Sequence, residues 1–385
     1  MQQESRAIKL NYLREHNIRL IMSLLYVKPM SCLELSKEIG ISDVGARKIV
    51  KQLEAYDMVK VAPETDSSRK RGNQHIRYAL NAELGYFLIF NNSFFDDKFI
   101  LFDFSGKRVY ESPFTLPERD VTRADLEELA RETKQKLIDH GIDIKKIINV
   151  TLSVSGQIDD AARCFTISGR FNAFENDTTG SFFRIFEDAF SVPVYAKNDV
   201  MLMLLGETDN NPNIAKTFLY MFVGYGISSA IMYKGEIVTG VRGYAGEIGG
   251  NRFGTDSTVS LNASLYRLRI KCRQYLETQD LQGFIKAYNE RKEVEEVIQH
   301  SALVVGMEIA NIANLLGIET VFMSGEALLF GEKYINAVQA AAQKYSIPNV
   351  QVHMSVDKDL AVRGALSQAR VKAIETIMSR PPSEK

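Results

Sequence analysis

Val194-Tyr195-Ala196-Lys197-Asn198-Asp199-Val200 is the stretch on which the reading of this chain turns. The β-branched and aromatic run after Pro193 predicts a strand, and residues 201–207 predict the opening of an apolar helix. A polar Asn-Asp pair therefore stands where a strand hands over to a helix. Open α/β sheets bind ligands at such places, beyond the carboxyl ends of their strands. Asp199 can accept hydrogen bonds from a ligand hydroxyl, and Asn198 can both donate and accept. Asn and Asp are also favoured as helix caps, so spacing alone leaves both readings open.

On either side of this junction one pattern occurs twice. Residues 86–90, 99–103 and 108–111 predict a strand meander, 126–139 an amphipathic helix and 147–154 a buried strand. Ser155-Gly156-Gln157-Ile158-Asp159 predicts a turn, 160–180 a loop-rich stretch and 182–190 a helix. Beyond the junction, strands at 217–223, 228–233 and 236–238 predict a second meander, around Gly224-Tyr225-Gly226 and Lys234-Gly235. Helices at 262–277, 281–288, 293–316, 333–345 and 360–378 alternate with strands at 321–323 and 350–353. Helix 293–316 is apolar enough for either a core or a dimer interface. Two such halves imply a duplicated α/β body with a ligand cleft between them. We expect one lobe at 81–198, completed by 360–378, and the other at 199–359.

Residues 1–80 read differently. Apolar residues at helical spacing run from Leu10 to Leu25, and Lys28-Pro29 ends that helix. Ser31-Cys32-Leu33-Glu34 matches a capping box for a second helix, which Gly40 stops. Ser42 is a good N-cap for a third helix reaching about Tyr56. Helix, Gly-containing turn and helix is the helix-turn-helix pattern. In the third helix, Val44, Ile49, Val50 and Leu53 are expected to pack inward. Arg47, Lys48 and Lys51 are expected outward, where a major groove could receive them. Gly45 permits either close approach to DNA or crowding against the second helix. Strands at 58–61 and 75–80 flank a wing with Arg69, Lys70 and Arg71 at its tip, suited to phosphates or a minor groove. We expect a winged helix-turn-helix that binds double-stranded DNA, its contacts including Ser42, Arg47, Lys48, Lys51, Arg69, Lys70 and Arg71.

Bulk properties agree. The 385 residues allow two or three domains, and 45% apolar with 25% charged residues is ordinary for a globular chain. No apolar run is long enough to span a membrane, and Met1-Gln2-Gln3-Glu4-Ser5-Arg6 lacks a signal-peptide core. Cys32, Cys164 and Cys272 suit neither a disulfide framework nor a metal knot. A reduced, cytoplasmic protein is expected. Residues 1–80 hold 14 Lys and Arg against 9 Asp and Glu, while the remainder holds 33 against 39. A basic head on an acidic body suggests that the head meets a polyanion.

Four motifs, Ser155-Gly156-Gln157-Ile158-Asp159, Asn198-Asp199, Gly224-Tyr225-Gly226-Ile227 and Ala245-Gly246-Glu247-Ile248-Gly249, in that order, resemble the ROK family of repressors and sugar kinases. The resemblance covers nearly the whole chain. It implies an α/β fold: an N-terminal winged helix-turn-helix followed by a two-lobed, actin-like (ribonuclease-H-like) body. In the family's kinases the Asp of the Asn-Asp pair is the general base, which corresponds to Asp199. Asn198 then binds a sugar hydroxyl, Glu247 holds hydroxyls near the anomeric end, and Gly156 and Asn262 complete the ligand set. The phosphate turns depart from the pattern. Asn91-Asn92-Ser93-Phe94-Phe95 replaces Asp-x-Gly-Gly-Thr, and Gly224-Tyr225-Gly226-Ile227-Ser228 replaces Gly-Thr-Gly-x-Gly. Ser324-Gly325-Glu326 stands for Gly-Gly-Gly. The zinc ligands are missing, with Gly250 at the His position and no cysteine in 251–264. The expectation is a regulator and not an enzyme, a repressor with a sugar effector, no ATP, no metal and a homodimeric or higher assembly. A sugar kinase with a DNA-binding head, or a DNA-binding dimer without ligand, are the alternatives.

Overall fold

A computed structural model describes residues 2–63, 76–93, 96–211, 213–278 and 280–381, with the side chains of 2–12, 93 and 96 excepted. Arg69, Lys70 and Arg71, like Phe94 and Phe95, lie outside the described residues.

The head contains α1 (Gln2–Val27), β1 (Met30–Ser31), α2 (Cys32–Ile39), α3 (Asp43–Ala55), β2 (Val59–Val61) and β3 (Arg77–Leu80). Its helix boundaries follow from local chemistry. Ser31 and Glu34 form the reciprocal capping box that starts α2, and Gly40 ends it in the left-handed region at φ 73°. Ser42 caps α3 by accepting from the Gly45 N–H at 3.1 Å. A Cβ on Gly45 would meet that Ser42 hydroxyl and the Ile41 side chain, so the cap, and not the second helix, limits the space there. Strand order is β1-β3-β2. The two-residue β1 is too short a run to show any alternation in the sequence. Val44 corrects the inward set of α3: it is 63% exposed, and Ala46 takes the buried place beside Ile49, Val50 and Leu53. Ala46 lies three and four residues before Ile49 and Val50, on their face of the helix; Val44 does not.

The body follows. Strands β4 (Tyr86–Ser93), β5 (Asp96–Asp103) and β6 (Arg108–Pro113) form the first meander, and α4 (Arg123–Asp139) leads to β7 (Ile147–Val154). Then come the hairpin β8 (Gln157–Asp159) and β9 (Cys164–Ile167), α5 (Ser181–Phe190), β10 (Val194–Asn198) and α6 (Asp199–Asn210). The second half has the meander β11 (Phe218–Val223), β12 (Ile227–Tyr233) and β13 (Glu236–Ile237), followed by α7 (Val259–Ala263), α8 (Leu265–Cys272), α9 (Leu281–Glu290) and α10 (Lys292–Leu316). It closes with β14 (Thr320–Ser324), α11 (Glu332–Tyr345), β15 (Gln351–Met354) and α12 (Leu360–Met378).

The two five-stranded sheets have the orders β10-β7-β4-β5-β6 and β13-β12-β11-β14-β15. Each is an antiparallel meander whose first strand is joined by two parallel strands. The duplication expected from the sequence is therefore present in the topology. Alternation along β4 divides the first sheet's faces. Leu88 and Phe90 join Phe182 and Phe186 of α5 in one core. Phe87 and Ile89 face a core that also contains α6, α12 and, from the second sheet, Phe218 and Tyr220. Helices α6 and α12 thus lie between the sheets. They approach closely because each offers a glycine: a Cβ at Gly206 would stand 2.2 Å from the Leu360 carbonyl oxygen, and one at Gly364 1.9 Å from that of Leu202.

Two expectations are corrected. The stretch expected to be loop-rich contains β9, and the expected turn at 155–159 runs directly into its partner β8. The helix expected at 262–277 is broken at Ser264, which turns extended (φ −70°, ψ 138°) and caps α8 through the Arg267 N–H. A competing cap overrode helical periodicity there. Helix α10 buries Val294, Ile298, Val305 and Ile309 in the core of its own half.

Candidate functional site

The capping reading of the Asn-Asp pair is realised. The Asn198 side-chain oxygen accepts from the N–H groups of Val200 and Met201, capping α6, while its amide donates to the Gly156 carbonyl at 3.0 Å. Asn198 therefore ties the end of β10 to the turn after β7. Asp199 occupies the first turn of α6, where its carboxylate accepts from the Val200 N–H at 2.9 Å. It is only 7% exposed. Burial pushes its carboxyl up to about 7 against that hydrogen bond, and the charge of nearby Glu247 adds to the rise.

Glu247 comes from the other half, after the second meander. Its carboxylate accepts a hydrogen bond from the Gln157 side chain of β8. The same seam is crossed by Arg242, which bonds Asn176 at 2.6 Å and faces Asp159 at 3.5 Å. The structure thus brings Gly156, Asn198, Asp199 and Glu247 together where the two halves meet. Gln157 belongs with them, although nothing local singles it out from its motif. Asn262 is placed differently. Its amide donates to Ser257 Oγ at 2.6 Å and to the Thr258 carbonyl, and its oxygen faces Lys271. It braces the start of its own helix.

The second phosphate turn is filled by a side chain. Gly325 has φ 101°, and a Cβ there would stand 2.3 Å from the Val223 carbonyl oxygen. That turn delivers Glu326 onto Gly224, where any Cβ would lie 1.8 Å from the Glu326 carboxylate. Glu326 is 8% exposed, its Oε2 has no partner among the described residues, and burial pushes its carboxyl up to about 7. Tyr225 packs against Tyr266 of α8 beside it, the ring centroids 4.9 Å apart and the planes tilted by 42°. In the first hairpin, the Asn92 amide donates to Asp97 at 2.6 Å. Among the described residues no group of three His, Cys, Asp or Glu side chains is placed to hold a metal.

In the head, Arg47, Lys48 and Lys51 all lie on the exposed side of α3. Arg47 is held along the helix by Asp43 at 2.8 Å. Lys48 and Lys51 make no ion pair with another described residue. Glu34 pairs with Arg77, fixing β3 to α2. The Ser31 backbone N–H, followed by Arg77, draws the Glu34 carboxyl down to about 2.

Comparison with protein-family models matches the ROK family over residues 97–370. Among curated relatives, the uncharacterized protein YphH of Escherichia coli (strain K12) is 23% identical over 85% of this chain and 86% of its own length. The glucokinase of Halalkalibacterium halodurans is 26% identical over 43% of this chain and 58% of its own. The xylose repressor of Caldicellulosiruptor bescii is 24% identical over 46% and 52%. Among solved structures, a ROK family transcriptional regulator, described as a homolog of the Escherichia coli Mlc protein, covers 96% of this chain and all of its own. It does so at TM-score 0.77 and 17% identity. The ROK hexokinase of Thermus thermophilus covers 76% of this chain and 99% of its own, at TM-score 0.59 and 18% identity. No described helix is long and apolar enough to cross a membrane.

Proposed function

This chain belongs to the ROK family, and from that premise we propose that it is a DNA-binding transcription regulator, a repressor, whose cleft binds a sugar or sugar derivative. The proposed division is a winged head at 1–80, one lobe at 81–198 completed by 360–378, and a second at 199–359. The proposed assembly is a homodimer that presents two heads to a double-stranded operator. The carrying observation is the contrast within the cleft. Asn198, Asp199 and Glu247 remain gathered at the seam, as a polyol-binding site requires, while the Glu326 carboxyl fills the space against Gly224. A buried carboxyl there opposes a nucleotide's phosphates by bulk, and by charge once it ionises above about pH 7. Because Asp199 is nearly enclosed, a guest reaches it as the halves separate, and a ligand that prefers one separation shifts the pose of the heads.

A thermal-shift series with monosaccharides, disaccharides, their phosphates and ATP, joined to duplex-DNA binding with and without each compound, tests the proposal. The expected result is stabilisation by a sugar, not by ATP, together with changed DNA affinity. No response to any sugar would remove the effector role, and indifference to duplex DNA would remove the regulator. The intact Asp199 supports a second reading, a sugar kinase, because a base poised near neutrality suits proton abstraction. ATP-dependent phosphorylation of a sugar, abolished in Asp199→Asn, would establish it.

A further inference from the structure

Helix α12 is the element through which body meets head. Its last turns carry three contacts to the head: Arg370 lies over the Tyr26 ring of α1 at 3.8 Å, Glu375 pairs with Arg19 of α1 at 3.0 Å, and the Met378 carbonyl faces the Tyr56 hydroxyl at 3.5 Å. Tyr56 is the C-cap of α3, the helix bearing Arg47, Lys48 and Lys51. At its other end α12 is pressed against α6 through Gly206 and Gly364, and α6 begins at Asp199. One closely packed pair of helices therefore runs from the cleft to the head.

Arg370 is the unusual member of this seam. It is a largely buried cation on which Tyr26, Asp209 near the end of α6 and Asp103 at the end of β5 act by charge. Its terminal nitrogen sits where a Cβ on Gly106 would be, at 1.7 Å. Its Nε has no hydrogen-bond partner among the described residues, and neither does the Tyr26 hydroxyl. Burial lowers the Arg370 pKa and raises that of Tyr26. A cavity of about 240 Å³ walled by Asp209, Asp359 and Arg363 opens beside the guanidinium. Of its carboxylates, Asp359 is already paired with Lys98 and Arg108, which leaves Asp209 as the one toward which the Arg370 side chain would turn. A buried cation held by a ring face and an incomplete set of hydrogen bonds is poorly satisfied where it is, which suits a contact that must break and re-form.

We propose that Arg370 is a positioning residue that passes the state of the cleft to the head, seated on Tyr26 when the head is docked and turned toward Asp209 when it is released. This rests on the reading of the cleft as an effector site and of the head as a DNA-binding unit.

Amide hydrogen exchange on the full-length chain tests it without any ligand. Arg370→Met is expected to speed exchange in residues 20–27 and 43–55 by roughly thirtyfold, the ratio a desolvated cation–ring contact is worth, while β7 and α10 keep their protection. Tyr26→Leu, cut from the other side of the contact, is expected to give the same pattern and stands in should Arg370→Met fold poorly. Arg370→Lys keeps the charge but not the planar stack and is expected to lie between. A change at the cleft, Asp199→Asn, is expected to alter exchange in α1 and α3 when Arg370 is present and not when it is Met. A purely structural role predicts uniform loosening and an Asp199→Asn effect independent of Arg370; that outcome, or an unchanged head in Arg370→Met, overturns the proposal. Failure to bind sugar or DNA would instead count against the function, leaving the exchange result intact.

Discussion

Asp199 makes the cleft's pH behaviour predictable. Its carboxyl titrates at about 7 in the folded chain against an ordinary value of 3.8, chiefly because it is buried. Between roughly pH 4 and pH 7 the folded state keeps a proton that the unfolded state has released. The stability this contributes is fully present below pH 4 and is lost as pH rises through 7. Glu326 acts in the same direction from 4.5 to about 7. Urea-unfolding midpoints measured from pH 4.5 to 8 should therefore fall for the parent and fall less for Asp199→Asn. An equal slope in both would mean that Asp199 is ionised throughout. Glu326→Gly, which empties the space over Gly224, should permit nucleotide binding that the parent lacks, read by isothermal titration with Mg-ATP. Continued silence would show that Glu326 is not what excludes it. The sequence marked Asn198, Asp199 and Glu247 through their motifs. Gln157 could not be marked, because its partner lies 90 positions away and no local pattern encodes that meeting.

Helix α3 carries the sharpest expectation among the elements. Arg47 is engaged by Asp43 on the same helix, so contact with a phosphate must displace a carboxylate already in place. Asp43→Asn should tighten binding to any duplex at low salt, whereas Lys48→Ala and Lys51→Ala should each flatten the salt dependence by about 0.9 per lost phosphate contact. Unchanged slopes in both lysine variants would take α3 out of the interface. Ser31→Ala removes half of a capping box and should cost about 1 kcal/mol in the head. The α6–α12 pair is less tolerant. Gly364→Ala drives a methyl group against the Leu202 carbonyl and should lower whole-chain stability by roughly 1–3 kcal/mol, measured by denaturant unfolding. Helix and strand order was readable because caps, glycine stops and apolar spacing are local signals. The break at Ser264 was not, since periodicity continued across it while a serine cap competed successfully.

Across the whole molecule, two sheets of matching strand order enclose α6 and α12, so relative movement of the halves shifts that pair. A sugar at a hundred times its dissociation constant should stabilise the chain by about 2.7 kcal/mol and alter duplex affinity in the same titration; stabilisation with unchanged DNA affinity would separate binding from regulation. The sequence by itself determined the duplicated strand-and-helix succession, the basic three-helix head and the junction at Asn198-Asp199, since each follows from the spacing and chemistry of neighbouring residues. Only the tertiary structure decided that Glu326 lies on Gly224, that Gln157 grips Glu247 and that Arg370 meets Tyr26. Those contacts join residues far apart along the chain. The shifted carboxyls arise from loss of water, which belongs to packing and is written in no single stretch of sequence.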